Sequence, residues 1–150
     1  MAPLRDIDNE ELLRLLAAGS IYLDVRTVEE FSAGHVPGAF NVPLLVRDEQ
    51  GALVPNPDFL TIATALLEGK SEPIIACQAG GRSRKACALL GQTGRSDLLN
   101  YAGGFGGGRD PFGAKIPGYV ATSAPVSTQP EPGHTYAELK ERLLGSSGTP

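Results

Sequence analysis

A strand that runs into a helix through a tight loop is the feature that most constrains this fold. Residues 74–76 form an apolar, β-branched run, which is typical of a short buried strand. Ala86, Leu89 and Leu90 follow at spacings of three and four, so they share one face of a helix. Strands that alternate with helices in this way predict an α/β fold with a mostly parallel sheet.

The loop between strand and helix holds six residues, from Cys77 to Arg82, with Gly80 and Gly81 near its middle. Successive backbone N–H groups in such a loop, together with the positive end of the helix, form a site for an anion. A thiolate at the end of the strand would be stabilised by the same groups. We therefore interpret Cys77 as a nucleophile in an anion-binding loop.

Three cations, Arg82, Arg84 and Lys85, crowd the expected first turn of the helix. The helix dipole disfavours positive charge at this end, so the arrangement violates a local rule of helix stability. Such violations are typical of functional sites, where a bound group offsets the cost. The alternative is a solvated basic turn beside a buried structural cysteine. The combination of loop, cysteine and charges favours function.

The spacing Cys77-x-x-Gly80-x-Arg82 resembles the active-site loop of the rhodanese (sulfurtransferase) family. Two further blocks are similar to signatures of that family and occur in the family's order, so the resemblance covers about residues 6–110. The upstream block comprises Leu23-Asp24-Val25-Arg26, Glu30-Phe31, Gly34-His35-Val36-Pro37-Gly38-Ala39 and Asn41-Val42-Pro43, and the downstream block is Tyr101-Ala102-Gly103-Gly104-Phe105. Two features depart from the family pattern: no tryptophan follows the Gly-Gly turn, and a long glycine-rich stretch replaces a compact end.

The resemblance implies a single rhodanese-like domain with helices on both faces of a mostly parallel sheet. It also implies a sulfurtransferase that moves sulfane sulfur through a persulfide on Cys77. The donor would be a small sulfur-containing anion such as thiosulfate, and the acceptor a thiol, a protein thiol or cyanide. Arg82 is the expected cation for the departing oxyanion, and the cradle is expected to consist of Gln78, Ala79, Gly80, Gly81 and Ser83. No cofactor or metal ion is expected, since the two histidines and two cysteines show no ligand spacing.

Two other functions stay open at this stage. Cysteine phosphatases and arsenate reductases also combine a cysteine, a loop and an arginine, but their loop has five residues between the two where this chain has four. The tighter ring suits a sulfur atom better than a whole tetrahedral oxyanion. A non-catalytic rhodanese-like binding module is the other alternative, and the presence of both Cys77 and Arg82 argues against it.

Length and charge bound the remaining possibilities. A chain of 150 residues suits one domain with a sizeable core rather than two. Its net charge of −4 argues against nucleic acid as a partner. No stretch has the length of a signal-peptide core or a membrane span, so no membrane partner is expected. Two cysteines are too few for a secreted disulfide framework, and we expect a reducing, cytoplasmic setting.

Composition divides the chain into four parts. We expect the rhodanese-like domain over residues 1–120, and then a linker rich in serine, threonine and proline over 121–134. A short helix is expected over 135–144 and a disordered tail over 145–150. The glycine run 103–108 lacks the order of a phosphate-binding loop and is predicted to be a flexible loop.

Local signals predict several further elements. Asp8 and Thr27 should each begin a helix with a capping box. Asn56 should cap a third helix, with Pro57 at its first position. The segment 44–54 is predicted to be an exposed loop or broken turn.

Four side chains around these elements are assigned structural roles. Asp24 and Arg26 lie at the end of a strand, and an ion pair or a turn cap that holds neighbouring loops is favoured over a catalytic role. His35 is not expected to act as a base, because a thiolate stabilised by its loop requires none. Cys87, one turn into the helix, is predicted to pack as a small apolar residue rather than to act as a resolving thiol.

Overall fold

A five-stranded parallel sheet lies at the centre of the computed structural model, which describes residues 4–144. The strands are β1 (Leu4–Ile7), β2 (Tyr22–Asp24), β3 (Phe40–Asn41), β4 (Leu45–Arg47), β5 (Leu53–Pro55), β6 (Ile74–Ala76), β7 (Leu98–Tyr101), β8 (Gly108–Arg109) and β9 (Lys115–Ile116). The helices are α1 (Asn9–Ala17), α2 (Val28–Ala33), α3 (Phe59–Leu67), α4 (Gly81–Gly91) and α5 (Tyr136–Leu144), with a short 3-10 helix at Tyr119–Ala121. The order across the central sheet is β1-β7-β6-β2-β3, and every neighbouring pair is parallel.

Helices cover both faces of this sheet, which confirms the predicted α/β architecture. Side chains of α3, α4 and α5 pack into one core, and side chains of α1 and α2 pack into the other. The central strand β6 contributes to both: Ile75 and Cys77 belong to the first core, and Ile74 and Ala76 to the second. This alternation is the period of two that a strand buried on both faces requires.

Side-chain caps begin α1, α2 and α5 as their sequences predict. Asp8 accepts a hydrogen bond from the N–H of Glu11 at 2.9 Å, although the reciprocal bond of a capping box is not formed there. Thr27 and Glu30 form the complete box, and Gly34 ends that helix. Thr135 caps α5 through the N–H of Glu138 at 3.3 Å. Each of these caps supplies an acceptor to an N–H group that the helix itself leaves unpaired.

The local predictions for residues 44–59 need two corrections. The segment 44–54 is largely exposed, as predicted, but β4 and β5 pair across it as an antiparallel hairpin rather than an irregular loop. The helix α3 begins at Phe59 rather than at Pro57, with Asp58 at the N-cap position and no side-chain cap. Asn56 instead turns the chain before the helix: its Oδ1 accepts from the N–H of Asp58, and its Nδ2 donates to the carbonyl of Pro43. The strand β1, which pairs with β7, was not predicted. Its two middle residues are exposed, so the sequence shows no run of apolar residues there.

The glycine run that follows β7 packs tightly against the loop after β6, so the predicted flexible loop is wrong. The N–H of Phe105 donates to the carbonyl of Cys77 at 2.8 Å, and the N–H of Gly106 donates to the carbonyl of Gln78 at 3.0 Å. A Cβ atom on Gly104 would lie 2.6 Å from the carbonyl oxygen of Gln78. The glycines therefore allow two backbones to approach each other directly.

The segment 121–134 runs along the surface of the domain. Backbone hydrogen bonds pair Ser127 with His35 at 2.8 and 2.9 Å, and the Tyr119 hydroxyl donates to the carbonyl of Pro125. Farther along, the ring of His134 stacks on Phe40, with centroids 3.6 Å apart. The segment predicted as a linker thus makes specific contacts with the domain.

The helix α5 packs against α3, and these contacts supply the tertiary support that a helix this short requires. Leu139 is fully buried in the core beneath α3. The predicted tail at 145–150 lies outside the described residues. Among residues 4–144, no helix is long and apolar enough to cross a membrane.

We predict that Gly104→Ala destabilises the protein far more than Gly113→Ala. Both glycines have positive φ, +68° and +84°, so alanine meets similar backbone strain of about 1–2 kcal/mol at each. Only at Gly104 does the added Cβ clash, with the carbonyl oxygens of Cys77 and Gln78, whereas nothing lies within 4 Å at Gly113. Urea denaturation should show an extra loss of at least about 2 kcal/mol for Gly104→Ala. Equal losses in the two variants would mean that this backbone contact does not hold the loop.

Candidate active site

The sulfur of Cys77 lies at the carboxyl end of the central strand β6, where parallel sheets place their functional sites. The N–H of Gly80 donates to this sulfur at 3.1 Å. Gly80 can turn its N–H inward because its φ is +94°, and a Cβ there would lie 2.6 Å from the carbonyl oxygen of Ala102. Cys77 is only 2% exposed, so its sulfur sits at the floor of the loop.

The helix α4 begins at Gly81, which brings the hydroxyl of Ser83 within 3.5 Å of the Cys77 sulfur. The N–H groups of the first helical turn have no acceptor inside the helix and are free to face an anion. The cysteine, the inward N–H of Gly80 and the positive end of α4 are thus assembled at one point. This arrangement can stabilise negative charge on sulfur.

A chain of hydrogen bonds leads from Ser83 to the protein surface. The hydroxyl of Ser83 lies 2.5 Å from Oδ1 of Asn100, and Nδ2 of Asn100 donates to Asp6 at 2.9 Å. Asp6 in turn accepts from Arg84 at 2.8 and 2.9 Å. Ser83 and Asn100 are both fully buried. Since an amide that donates to Asp6 must turn its oxygen toward Ser83, this network orients the hydroxyl beside the sulfur.

Arg82 is held by Glu30 of α2 rather than extending freely into solvent. Its Nη1 and Nη2 donate to the two carboxylate oxygens at 2.7 and 3.0 Å. These hydrogen bonds, aided by a backbone N–H at Thr27, lower the pKa of Glu30 from 4.5 to about 2. The ion pair raises the pKa of Arg82 as well. Arg82 therefore borders the loop as a positioned cation whose charge is partly balanced.

Gln78 points its side chain back into the protein. Its Oε1 accepts from Arg26 at 3.1 Å, and Arg26 also forms the predicted ion pair with Asp24. Both members of that pair are nearly inaccessible, at 3% and 2% side-chain exposure. The guanidinium of Arg26 also lies 4.4 Å from the centre of the Phe105 ring. What Gln78 can offer to a ligand is therefore its backbone.

The remaining candidate side chains lie apart from the sulfur. His35 is buried, stacks on Phe31 and places its Nδ1 2.8 Å from the carbonyl of that residue, as a structural histidine would. Cys87 is fully buried in the core, and burial raises its pKa to about 12. Such a thiol packs as an apolar residue, as predicted. Arg47 and Arg109 are exposed and bond to carbonyls within their own hairpins.

The structure thus gathers the predicted site residues with different degrees of contact. Gly80 and Ser83 touch the sulfur, and Gly81 begins the helix whose positive end faces the loop. Ala79 is exposed, and its carbonyl oxygen lies against Gly108, so it adds no polar side chain to the loop. Arg82, also predicted, lies at the border of the loop in its pair with Glu30.

Three residues near the site were missed by sequence reasoning. Glu30 already served as a capping residue, which obscured its second role as the partner of Arg82. Asn100 lies inside an apolar strand, and a polar residue in such a place was a usable signal. Phe105 stood inside the glycine run that was predicted to be flexible.

We predict that Glu30→Gln lowers the free energy of unfolding at pH 7 by about 1–2 kcal/mol, allowing for solvent screening of this partly exposed pair. The folded state depresses the pKa of Glu30, so its contribution is complete above about pH 4.5 and disappears as the pH falls toward 2. Urea denaturation between pH 2 and 7 should therefore show the two stability curves converging at low pH.

Glu29→Gln is the matched control. The adjacent Glu29 is exposed, and its Oε2 forms only a long, exposed ion pair with Nε of Arg47, at 3.4 Å. Its loss should be small at every pH. If Glu30→Gln and Glu29→Gln lowered the free energy of unfolding equally at pH 7, the Glu30–Arg82 pair would not contribute to holding the loop.

Comparison with known proteins identifies the family. Residues 8–109 match the family described as the rhodanese-like domain, which is more than half of the chain. The chain is 45% identical over 91 residues to thiosulfate sulfurtransferase 16, chloroplastic, of Arabidopsis thaliana, covering 61% of this chain and 75% of that protein. It is 35% identical over 109 residues to the human thiosulfate:glutathione sulfurtransferase, covering 70% of this chain and 93% of that protein.

A further relative is longer than this chain. Protein HIGH ARSENIC CONTENT 1, mitochondrial, of Arabidopsis thaliana is 40% identical over 90 residues, and the match covers 60% of this chain. It spans only about half, 53%, of that protein's length.

Solved structures agree with the fold. The human single-domain sulfurtransferase TSTD1 superimposes with a TM-score of 0.51 at 28% identity, covering 70% of this chain and 93% of that one. Rv0390 from M. tuberculosis gives a TM-score of 0.61 at 24% identity over 83% of this chain and 97% of that one, which bears on the fold alone. From the extent of the matched region and the architecture together, the chain belongs to the rhodanese-like domain family.

Proposed function

We propose that this protein is a sulfurtransferase that carries sulfane sulfur as a persulfide on Cys77. The observation that supports it most is the sulfur of Cys77 at the end of β6, with the N–H of Gly80 pointing at it from 3.1 Å. Membership of the rhodanese-like family, with relatives named thiosulfate sulfurtransferases, agrees with this chemistry.

In the first half-reaction the thiolate of Cys77 attacks the outer sulfur of a donor such as thiosulfate. The sulfur–sulfur bond of the donor breaks, and sulfite leaves with the electron pair. The persulfide that forms on Cys77 carries a negative charge on its outer sulfur. Preorganised N–H groups at the start of α4 stabilise such charge without further rearrangement. Because Cys77 is 2% exposed, the donor inserts its terminal sulfur into the loop rather than lying across the surface.

In the second half-reaction a thiolate or cyanide attacks the outer sulfur of the persulfide. The sulfur–sulfur bond to Cys77 breaks, and the cysteine leaves as a thiolate, so the resting state is restored. Arg82, at the edge of the loop, favours the approach of anions, and its pair with Glu30 keeps it in place. A small thiol such as glutathione, which one relative's name contains, or a protein thiol can serve as acceptor in this scheme.

The rival chemistry is that of an oxyanion-binding enzyme. A loop of four residues between Cys77 and Arg82 encloses less space than the five-residue loop of the cysteine phosphatases and arsenate reductases. The N–H of Gly80 donates to the sulfur of Cys77, and a ring of this size suits one added sulfur atom. A binding module without catalysis would have no need for this arrangement.

The cytoplasmic setting stays a prediction, since relatives carry chloroplastic and mitochondrial names.

We predict that Cys77→Ser lowers thiocyanate formation from thiosulfate and cyanide by at least about a thousandfold, because a serine hydroxyl is not ionised near neutral pH. The assay is run in parallel with arsenate and a reductant, since one relative is named for arsenic content. Thiocyanate turnover that depends on Cys77, with no arsenate reduction, supports the proposal. Arsenate reduction without sulfur transfer would overturn it, as would turnover by the folded serine variant.

Cys87→Ala is the matched cysteine control. Cys87 is fully buried among apolar neighbours, so its loss should cost about 1 kcal/mol of stability and leave turnover within about twofold of the wild type. Thermal melting and the thiocyanate assay measure the two quantities. A large loss of turnover in a folded Cys87→Ala protein would give the second cysteine a part in the reaction.

A further inference from the structure

A cavity of about 440 Å³ lies beside the loop, between the β4–β5 hairpin and the first turns of α3 and α4. Gly81 and Arg82 form its wall on the side of the loop, so it begins one residue beyond the N–H that contacts the Cys77 sulfur. Its volume falls within the range of small-molecule sites, about 300–1,000 Å³. The cavity exists because the segment 44–54 folds back as a hairpin.

The walls of this cavity are predominantly apolar. Leu45 and Pro55 contribute from the hairpin, and Phe59 and Leu60 from the start of α3. Leu60 is 36% exposed, so part of this apolar wall faces the open cavity. An apolar wall around an open cavity is the surface that a ligand with an aliphatic or aromatic body covers.

The polar groups of the cavity define the charge of its ligand. Asn56 has no free capacity at its oxygen, which accepts from Asp58 and Tyr136, and it donates to Pro43. Arg82 is already paired with Glu30. Lys85, one turn further along α4, is exposed and makes no ion pair within residues 4–144. Of the described residues that line the cavity, none is acidic. The uncompensated charge at its rim is therefore positive.

We propose that this cavity binds the acceptor of the second half-reaction, and that the acceptor is a small thiol with an apolar body and one carboxylate. The inference rests on the proposed function. The apolar body lies against Leu60 and its neighbours, and the carboxylate faces Lys85. The thiolate reaches over Gly81 and attacks the outer sulfur of the Cys77 persulfide. A new sulfur–sulfur bond forms on the acceptor, and Cys77 leaves as a thiolate with the electron pair of the broken bond.

The test compares three acceptors of defined chemistry at low ionic strength, where screening of rim charges is weak. They are 6-mercaptohexanoate, the neutral 6-mercaptohexanol and the short anion 3-mercaptopropionate. Wild-type protein should show a higher kcat/KM for 6-mercaptohexanoate than for either of the others. Lys85→Gln should lower the ratio of kcat/KM for 6-mercaptohexanoate to kcat/KM for 6-mercaptohexanol about fivefold, as expected for the loss of a partly exposed ion pair. Hexanoate without the thiol should inhibit competitively against 6-mercaptohexanoate.

Lys70→Gln is the matched control, because Lys70 precedes β6 and so lies at the opposite edge of the sheet from the loop. It should leave the acceptor ratio unchanged. If Lys85→Gln and Lys70→Gln changed this kcat/KM ratio equally, the proposal would be overturned. It would also be overturned if the wild type showed no preference for 6-mercaptohexanoate.

Two further outcomes separate the proposal from its rivals. Thiocyanate formation by the wild type, measured with cyanide, shows whether sulfur transfer occurs at all. If it occurs and the thiol preference is absent, the cavity proposal fails while the proposed function stands. Sedimentation velocity tests a second copy of the chain as occupant. A dimer that Leu60→Asp dissociates, with no change in thiol preference, would overturn the proposal in favour of self-association.

Discussion

The buried guanidinium of Arg26 fixes the relative positions of β2, the end of α2, the loop after β6 and the glycine segment after β7. It pairs with Asp24 at the end of β2, donates to the carbonyl of Gly34 after α2, donates to Gln78 in the loop and lies against the ring of Phe105. A buried charge is tolerated only when its donors are matched, and removing one partner of such a pair typically costs about 3–5 kcal/mol. The same side chain therefore sets the position of the loop and of the glycine segment that closes over it.

The loop itself depends on backbone contacts more than on side chains. Gly80 turns an N–H toward Cys77, and Gly104 allows the following segment to lie directly on the loop carbonyls. A loop held in this way needs little rearrangement when charge develops on sulfur, and preorganisation of this kind is the principal source of electrostatic catalysis. The hydroxyl of Ser83 donates to Asn100 and turns its oxygen toward the Cys77 thiol, so this network fixes the packing beside the sulfur while the backbone N–H of Gly80 is the donor to it.

The structural features that depend on residues close together in the chain could be predicted from the sequence. The caps at Asp8 and Thr27, the strand–loop–helix around Cys77 and the two-sided parallel sheet all follow from local periodicity and spacing. It failed where distant segments meet. Glycines are compatible with a flexible loop and with close backbone packing, and only the position of the partner loop distinguishes the two. The pairing of Arg82 with Glu30 joins residues 52 positions apart, and no local pattern encodes it.

The most direct test of the central claim is a mass measurement on the protein itself. Reduced protein is incubated with thiosulfate, freed of excess donor and examined by intact mass spectrometry with peptide mapping. We expect the peptide that contains Cys77 to gain one sulfur atom and to lose it when cyanide is added. A folded protein that gains no sulfur, or that gains it on Cys87, would show that Cys77 is not the sulfur carrier.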